Sequence, residues 1–320
     1  MDLSSVPSKY RRWDTLLAPV LRLCAPAFRK ARAIGLEHLP KTKAVLLKHG
    51  VFPIIDHYYE PLFNTGRLHE ELLSQERRLP GIEWNVDAQL ELLDTFHYGE
   101  EARIAIERVG AAQRLALSDS FLSGDAEFWF SMIRHFKPRQ VIEIGSGQST
   151  LLAMAAINAN SAEEPSSRCR HVCIEPYEQP WLESTSVEVL RARAEDVPLA
   201  LFQELGEGDI LFIDSSHIIR PQGDVLTEYL DLIPSLSPGV IVHIHDVFSP
   251  RDYPAEWVVA ENKFWNEQYL LEAFLTHNRD WEILAALNLL HHSHPNALRR
   301  VCPSLTADRE PGSFYIRRRL

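Results

Sequence analysis

Cysteine is scarce in this chain, with Cys24, Cys169, Cys173 and Cys302 the four among 320 residues. That is too few for the dense disulfide framework of small secreted domains. Cys169 and Cys173 lie close, but no second pair or Cys/His cluster sits nearby to complete a zinc site. The four therefore read as reduced thiols of a cytosolic protein. Long apolar stretches are missing as well. Runs such as Leu151 to Ile157 stop far short of the roughly 18–20 residues that a membrane-spanning helix requires. Glycine and proline, at 14 and 20 residues, are too few for collagen or a disordered tract. Positive charge is in deficit: the formal net charge of −11 disfavours nucleic acid as the main partner, although a local basic pocket stays compatible with it.

What is there is an ordinary globular composition, 45% hydrophobic and 24% charged. It is enough for one large domain or two modest ones without a metal or disulfide to hold the core. Charge is unevenly spread. Residues 1–34 carry Lys9, Arg11, Arg12, Arg22, Arg29, Lys30 and Arg32 against Asp2 and Asp14, about +5, which leaves about −16 for the remainder. Leu16, Leu17, Val20, Leu21 and Leu23 among those arginines suggest an amphipathic helix. It would lie on an anionic membrane surface, as a weak peripheral contact, or on an acidic patch of the same protein. Pro19, Arg22 and Pro26 interrupt the apolar stretch, which argues against a secretory signal.

From Thr42 to about Asn64 the text is apolar with turn breakers, and His57-Tyr58-Tyr59-Glu60-Pro61 suits a loop or lid. Residues 67–78 are polar and helix-prone, and 86–96 show helical apolar spacing. Near Ser123-Gly124-Asp125 the character changes. Asp125 is a candidate N-cap for a helix carrying Phe128, Trp129, Met132, Ile133 and Phe136. Strands then alternate with helices: strands at 141–144, 171–174, 187–191, 209–213 and 239–245, helices at 149–158, 197–205 and 223–233. A helix over 266–277 follows, then a segment at 283–290 that periodicity leaves open between strand and helix, and a closing strand at 312–316. This rhythm predicts an α/β, Rossmann-like, doubly wound and mostly parallel sheet of seven strands with helices on both faces. Ligand chemistry belongs at the carboxyl ends of its strands. Residues 1–120 read as a mainly helical extension or lid, and 121–320 as the catalytic domain.

The most specific signal is Glu143-Ile144-Gly145-Ser146-Gly147-Gln148-Ser149-Thr150 at a strand-to-helix turn. Two glycines let the backbone turn tightly and approach a ligand, while free amides of the next helix face it. Thr150 stands where the dinucleotide fingerprint wants a third glycine, which weakens a nicotinamide or flavin reading. About 30 residues on, Glu175 ends the second strand, where an acid can accept both hydroxyl protons of a ribose. Glu195-Asp196 follow the third strand, well placed for an adenine amine, with a helix-cap role the competing explanation. Asp214 ends the fourth.

Together with Cys173-Ile174-Glu175-Pro176, Phe212-Ile213-Asp214-Ser215-Ser216-His217 and Pro238-Gly239 through His245-Asp246, this series resembles the class I S-adenosylmethionine-dependent methyltransferases over about residues 120–320. The resemblance implies a small-molecule methyltransferase. Gly145 and Gly147 would border the methionine part of the cofactor, with Glu143, Ser146 and Ser149 about its polar ends. Glu175 would hold the ribose, Glu195 or Asp196 the adenine, and Asp214 would face the methionine end and the substrate. Some relatives with a similar Asp-Ser-x-His segment hydroxylate antibiotic nuclei, and a non-catalytic assembly protein is the further alternative.

Asp214 and Asp246 end adjacent strands, with His217 and His245 beside them. Asp214 and Asp246 could bind a divalent cation such as magnesium, or a histidine, His245 or His217, could act as general base. In the metal-dependent relatives a further Asp or Asn follows the fifth-strand acid, and here Val247 takes that place. His243 reads as a satisfied core histidine. His57, Tyr58, Tyr59, Asp246, Tyr253 and Glu267 are candidate substrate contacts. An aromatic, hydroxyl-reading pocket of this kind suits a sugar, a polyketide or another polyol-like acceptor.

Overall fold

A computed structural model describes residues 7–113, 121, 123–177 and 179–319. They group into two compact units, Met1–Leu68 and His69–Leu320. In the first, α1 spans Ser8–Ile34 and α2 spans Pro40–His49. Pro40 sits at the start of α2, where its missing N–H has no intrahelical partner to lose. Gly50 closes that helix at φ 65°, its N–H reaching the carbonyls of Leu46 and Leu47, a left-handed stop that glycine makes without steric cost. Residues 51–64 hold no helix or strand, as their breakers predict. Arg32 grips Glu60 through two N–H···O bonds of 2.8 Å.

The longer helices of the second unit begin with α3 (Val86–Thr95) and α4 (Gly99–Gln113), followed by α5 (Asp125–Phe136). The polar 67–78 segment folds to a single helical turn, Glu70–Leu73. A seven-stranded sheet comes next: β1 Gln140–Ile144, β2 Arg170–Ile174, β3 Glu188–Leu190, β4 Ile210–Ile213, β5 Ile241–Ile244, β6 Trp281–Ala286 and β7 Phe314–Arg318. In space the order is β3-β2-β1-β4-β5-β7-β6. All neighbours are parallel except β7, which runs antiparallel to both β5 and β6. The helix α6 (Gln148–Glu163) links β1 to β2. Beyond β5 come α7 (Glu267–Leu275), α8 (Leu287–Ser293) and α9 (Pro295–Val301). The ambiguous 283–290 segment is thus both things in turn, the end of β6 and then α8.

Side chains alternate across the strands and build a core layer on each face. Ile142, Ile144, Leu211, Ile213, Val242 and Ile244 meet Val225, Tyr229, Leu232 and Leu271 on one side. Val141, Ile210, Phe212 and Ile241 meet Phe128, Trp129 and Met132 of α5 and Leu152, Ala153 and Ala156 of α6 on the other. Each large apolar side chain so buried contributes about 1.5–3 kcal/mol. Helices α4, α5 and α6 are further joined by the buried Arg134, whose guanidinium bonds Glu163, Asn160 and Glu101.

One capping expectation is corrected. Gly124, not Asp125, is the N-cap of α5, and the Glu127 carboxylate accepts the Gly124 N–H at 3.1 Å. Asp125 is instead buried, its Oδ1 accepting the N–H groups of Gly312 at 3.0 Å and Ser313 at 2.8 Å. A buried carboxylate needs hydrogen-bond partners, and two amides of a facing loop supply them here.

Candidate active site

Strand order reverses between β1 and β4, and in a sheet of this kind the crevice at that reversal is where ligands bind. A cavity of about 750 Å³ opens there, lined by Gly145, Glu175, Glu195, Asp214, Arg193 and Arg220 among others. Gly145 directly follows β1 at φ +81°, and a Cβ at that position would stand 2.1 Å from the carbonyl oxygen of Asp214. Only glycine lets the two strand ends meet so closely. Past β2, Glu175 points its carboxylate into the same space, with Oε1 accepting the Tyr177 N–H at 3.0 Å and Oε2 the Ser146 N–H at 3.4 Å. Glu195 lies at the wall, 3.4 Å from Arg193.

Asp214 connects the cavity to a cluster of acids and imidazoles at the ends of β4 and β5. His217 Nε2 is 3.3 Å from Asp214 and 3.6 Å from Asp246, and its Nδ1 is 2.8 Å from Glu267. Glu267 also accepts the Tyr229 hydroxyl at 3.1 Å, and the Trp265 ring lies 4.3 Å from that of His217. His245 Nδ1 stands 3.6 Å from Asp214 and 3.5 Å from Asp246, beyond hydrogen-bonding length. Its two ring nitrogens are buried without a hydrogen-bond partner. His217 and Asp246 both hold φ 58°, a left-handed conformation that a side-chain-bearing residue keeps only where its surroundings enforce it.

Residues 142–247, which contain the cavity walls and, apart from Trp265 and Glu267, this cluster, match the model of a family described as a methyltransferase domain. Over that third of the chain it is similar to a methyltransferase domain. A protein of Archaeoglobus fulgidus is 28% identical over 203 residues, spanning 54% of this chain and 86% of its own length. Among solved structures, an O-methyltransferase from Bacillus cereus in complex with S-adenosylhomocysteine overlaps at TM-score 0.38 and 18% identity, covering 73% of this chain and 96% of the other. A methyltransferase from Geobacter sulfurreducens overlaps at TM-score 0.35 and 15% identity, covering 75% and 100%.

Charge in the cluster is governed by mutual pairing. Burial disfavours a charged His217, but the bonds to Asp214 and Glu267 outweigh it and hold the ring well above its usual range. Burial likewise opposes a charged His245, and Asp246 with Asp214 lifts it to about 9. Asp214, though burial pushes it up, is drawn below the usual carboxylate range by His245 and His217. Asp246 is raised, with burial the largest cause. Deeper in, Glu228 accepts the Ser215 hydroxyl at 3.1 Å and is raised well above the ordinary range by burial and by Glu267. At neutral pH the site is thus two imidazoliums set among carboxylates.

That arrangement does not fit the alternative of a magnesium ion at Asp214 and Asp246. Asp214, His217 and Asp246 offer one ligand atom each within 4.8 Å of one another, but the third donor is an imidazole, while magnesium demands near-octahedral oxygen. Val247, buried, closes the next position with an apolar side chain.

The cavity gathers Gly145, Glu175, Glu195 and Asp214 of the residues expected from the sequence. Glu143 does not reach it: its buried carboxylate accepts the hydroxyls of Ser149 at 2.8 Å and Thr150 at 3.1 Å and pairs with His171. Ser149 is turned the same way. Asp196 is exposed and paired with Arg193 at 2.8 Å. Ser146 lends its amide to Glu175, and Gly147 faces open space. Tyr253 is buried with Phe248 and Val258, its hydroxyl accepting the Gln268 N–H at 3.1 Å. Glu267 is buried behind His217. His57, Tyr58 and Tyr59, in the first unit, are exposed with their rings on one another. His243 is buried, its Nε2 2.9 Å from the Ser313 hydroxyl and its ring 4.1 Å from Tyr315. Trp265, Tyr229, Arg193 and Arg220 were not foreseen. The two arginines carried a signal, since each precedes an acid of the cavity within four residues.

Proposed function

We propose that this protein transfers a methyl group from S-adenosylmethionine to a hydroxyl of a small or medium-sized molecule, of the sugar, polyketide or other polyol class. One observation carries the reading: Glu175 and Glu195 share a single cavity with Asp214, and Asp214 is also the acid that touches both imidazoles. Cavity size suits the cofactor, since pockets for ligands of that class run to about 300–1,000 Å³. The cofactor brings an electrophilic methyl on a sulfonium. Glu175 accepts the two ribose hydroxyls, Glu195 meets the adenine edge, and the ionised Asp214 lies where positive charge is best balanced. His217, clamped between Glu267 and Asp214, fixes the Asp214 carboxylate in place. Loss of the acceptor's hydroxyl proton is assigned to Nδ1 of the deprotonated form of His245, a minor form at neutral pH that grows as pH rises towards 9, and Asp214 and Asp246 stabilise the imidazolium that forms.

Calorimetric titration with S-adenosylhomocysteine tests the site. Wild type should bind, and Glu175→Ala should weaken binding roughly 10–150-fold, the worth of one or two charge-assisted hydrogen bonds. Folded wild-type protein that takes up no S-adenosylhomocysteine would sink the reading.

A further inference from the structure

Helix α1 carries an apolar face that stands in solvent. At 100° per residue, Trp13, Leu16, Leu17, Val20, Leu21 and Leu23 fall within one arc of roughly 160°. Trp13 and Leu16 are each 64% exposed and Leu23 81%. A helix that packs on its own core hides such an arc. The opposite arc holds Arg11, Arg12, Arg22, Arg29 and Lys30. The helix prolines, Pro19 and Pro26, fall on this polar side too. The carbonyls they leave unbonded, those of Thr15 and Arg22, are there as well, where water can satisfy them. Among the described residues no helix is long and apolar enough to cross a membrane.

We propose that α1 is a membrane-surface anchor that lies in the headgroup plane of an anionic phospholipid bilayer. Its apolar arc would enter the acyl boundary and its arginines would meet phosphates. Charge selects this occupant. The first unit has eleven Lys and Arg against five Asp and Glu, about +6, in a chain of net charge −11. Two like-charged copies pressed together on this face would repel, whereas an anionic surface adds attraction from each basic residue near it. A tryptophan on the apolar arc is the side chain that favours the headgroup boundary. This inference is independent of the cofactor reading, because vesicle binding needs no catalysis.

The test is co-sedimentation of the full chain with vesicles of phosphatidylcholine alone or with about 30% phosphatidylserine, at roughly 0.1 M and 0.5 M salt. Anionic vesicles should bind at least about tenfold better than neutral ones, and the preference should fade at the higher salt. The double variant Leu16→Glu/Val20→Glu, which changes two exposed positions, should lose at least about tenfold of that binding while keeping S-adenosylhomocysteine affinity and helical circular dichroism. Brominated lipid should quench wild-type fluorescence more than that of Trp13→Phe. Equal binding of the double variant, or a concentration-dependent oligomer that it disperses without any vesicle binding, would overturn the proposal.

Discussion

Alkaline pH should weaken this fold and quicken its chemistry, both through His245. The ring is lifted from an ordinary 6.5 to about 9 by Asp246 and Asp214. A folded-state pKa above the unfolded one means that the protonated form stabilises the fold. That stabilisation is present in full below pH 6.5 and is lost as pH rises through 9. At 1.36 kcal/mol per unit the whole span is worth roughly 3 kcal/mol, or roughly 6–12 °C in Tm for a unit of this size. His245→Gln fills similar space and cannot take the proton. Differential scanning calorimetry of both proteins from pH 6 to 9.5 should show the wild-type advantage at low pH shrinking steadily through that window. Proton abstraction needs the neutral ring, so wild-type kcat should climb across the same interval, and His245→Gln should lose that limb. Parallel Tm curves for the two proteins, or a wild-type rate that falls with pH here, would refute both the charge assignment and the role given to His245.

Two further outcomes follow from packing. Gly145→Ala forces a Cβ to 2.1 Å from the Asp214 carbonyl oxygen at φ +81°, so the turn must move; cofactor binding should be lost by titration while most of the far-ultraviolet circular dichroism persists. Arg134→Ala leaves the buried Asn160 amide oxygen without its donor, while Glu163 and Glu101 stay open to water, and urea unfolding should report a loss of about 1–3 kcal/mol.

Much of the sheet was legible because parallel strands buried on both faces are written as continuous apolar runs, as in Ile210–Ile213 and Ile241–Ile244. The acids at their ends were legible for a related reason, since an ionisable residue directly after such a run has to face the crevice. Pairings across the chain were not. Glu143 was read for its place in the turn motif alone, and the register that sets Val141 beside His171, bringing an imidazole to its carboxylate, was not legible. Asp125 looked like a cap until a loop 187 residues later supplied its partners. Trp265 reaches His217 only because the backbone of His217 accepts the N–H groups of Asn266 and Glu267. No local pattern encodes these contacts.

The position of β7 has a bearing on how the chain assembles during synthesis. It follows β6 in sequence but lies between β5 and β6 in the sheet, so β6 has no neighbour to join until β7 has been made. A nascent chain that has just emerged through Ala286 therefore carries β5 with an open edge and β6 with no ladder at all. The apolar side chains of Trp281 and Ile283 wait in water over that interval, which is when a chaperone would be most useful to it.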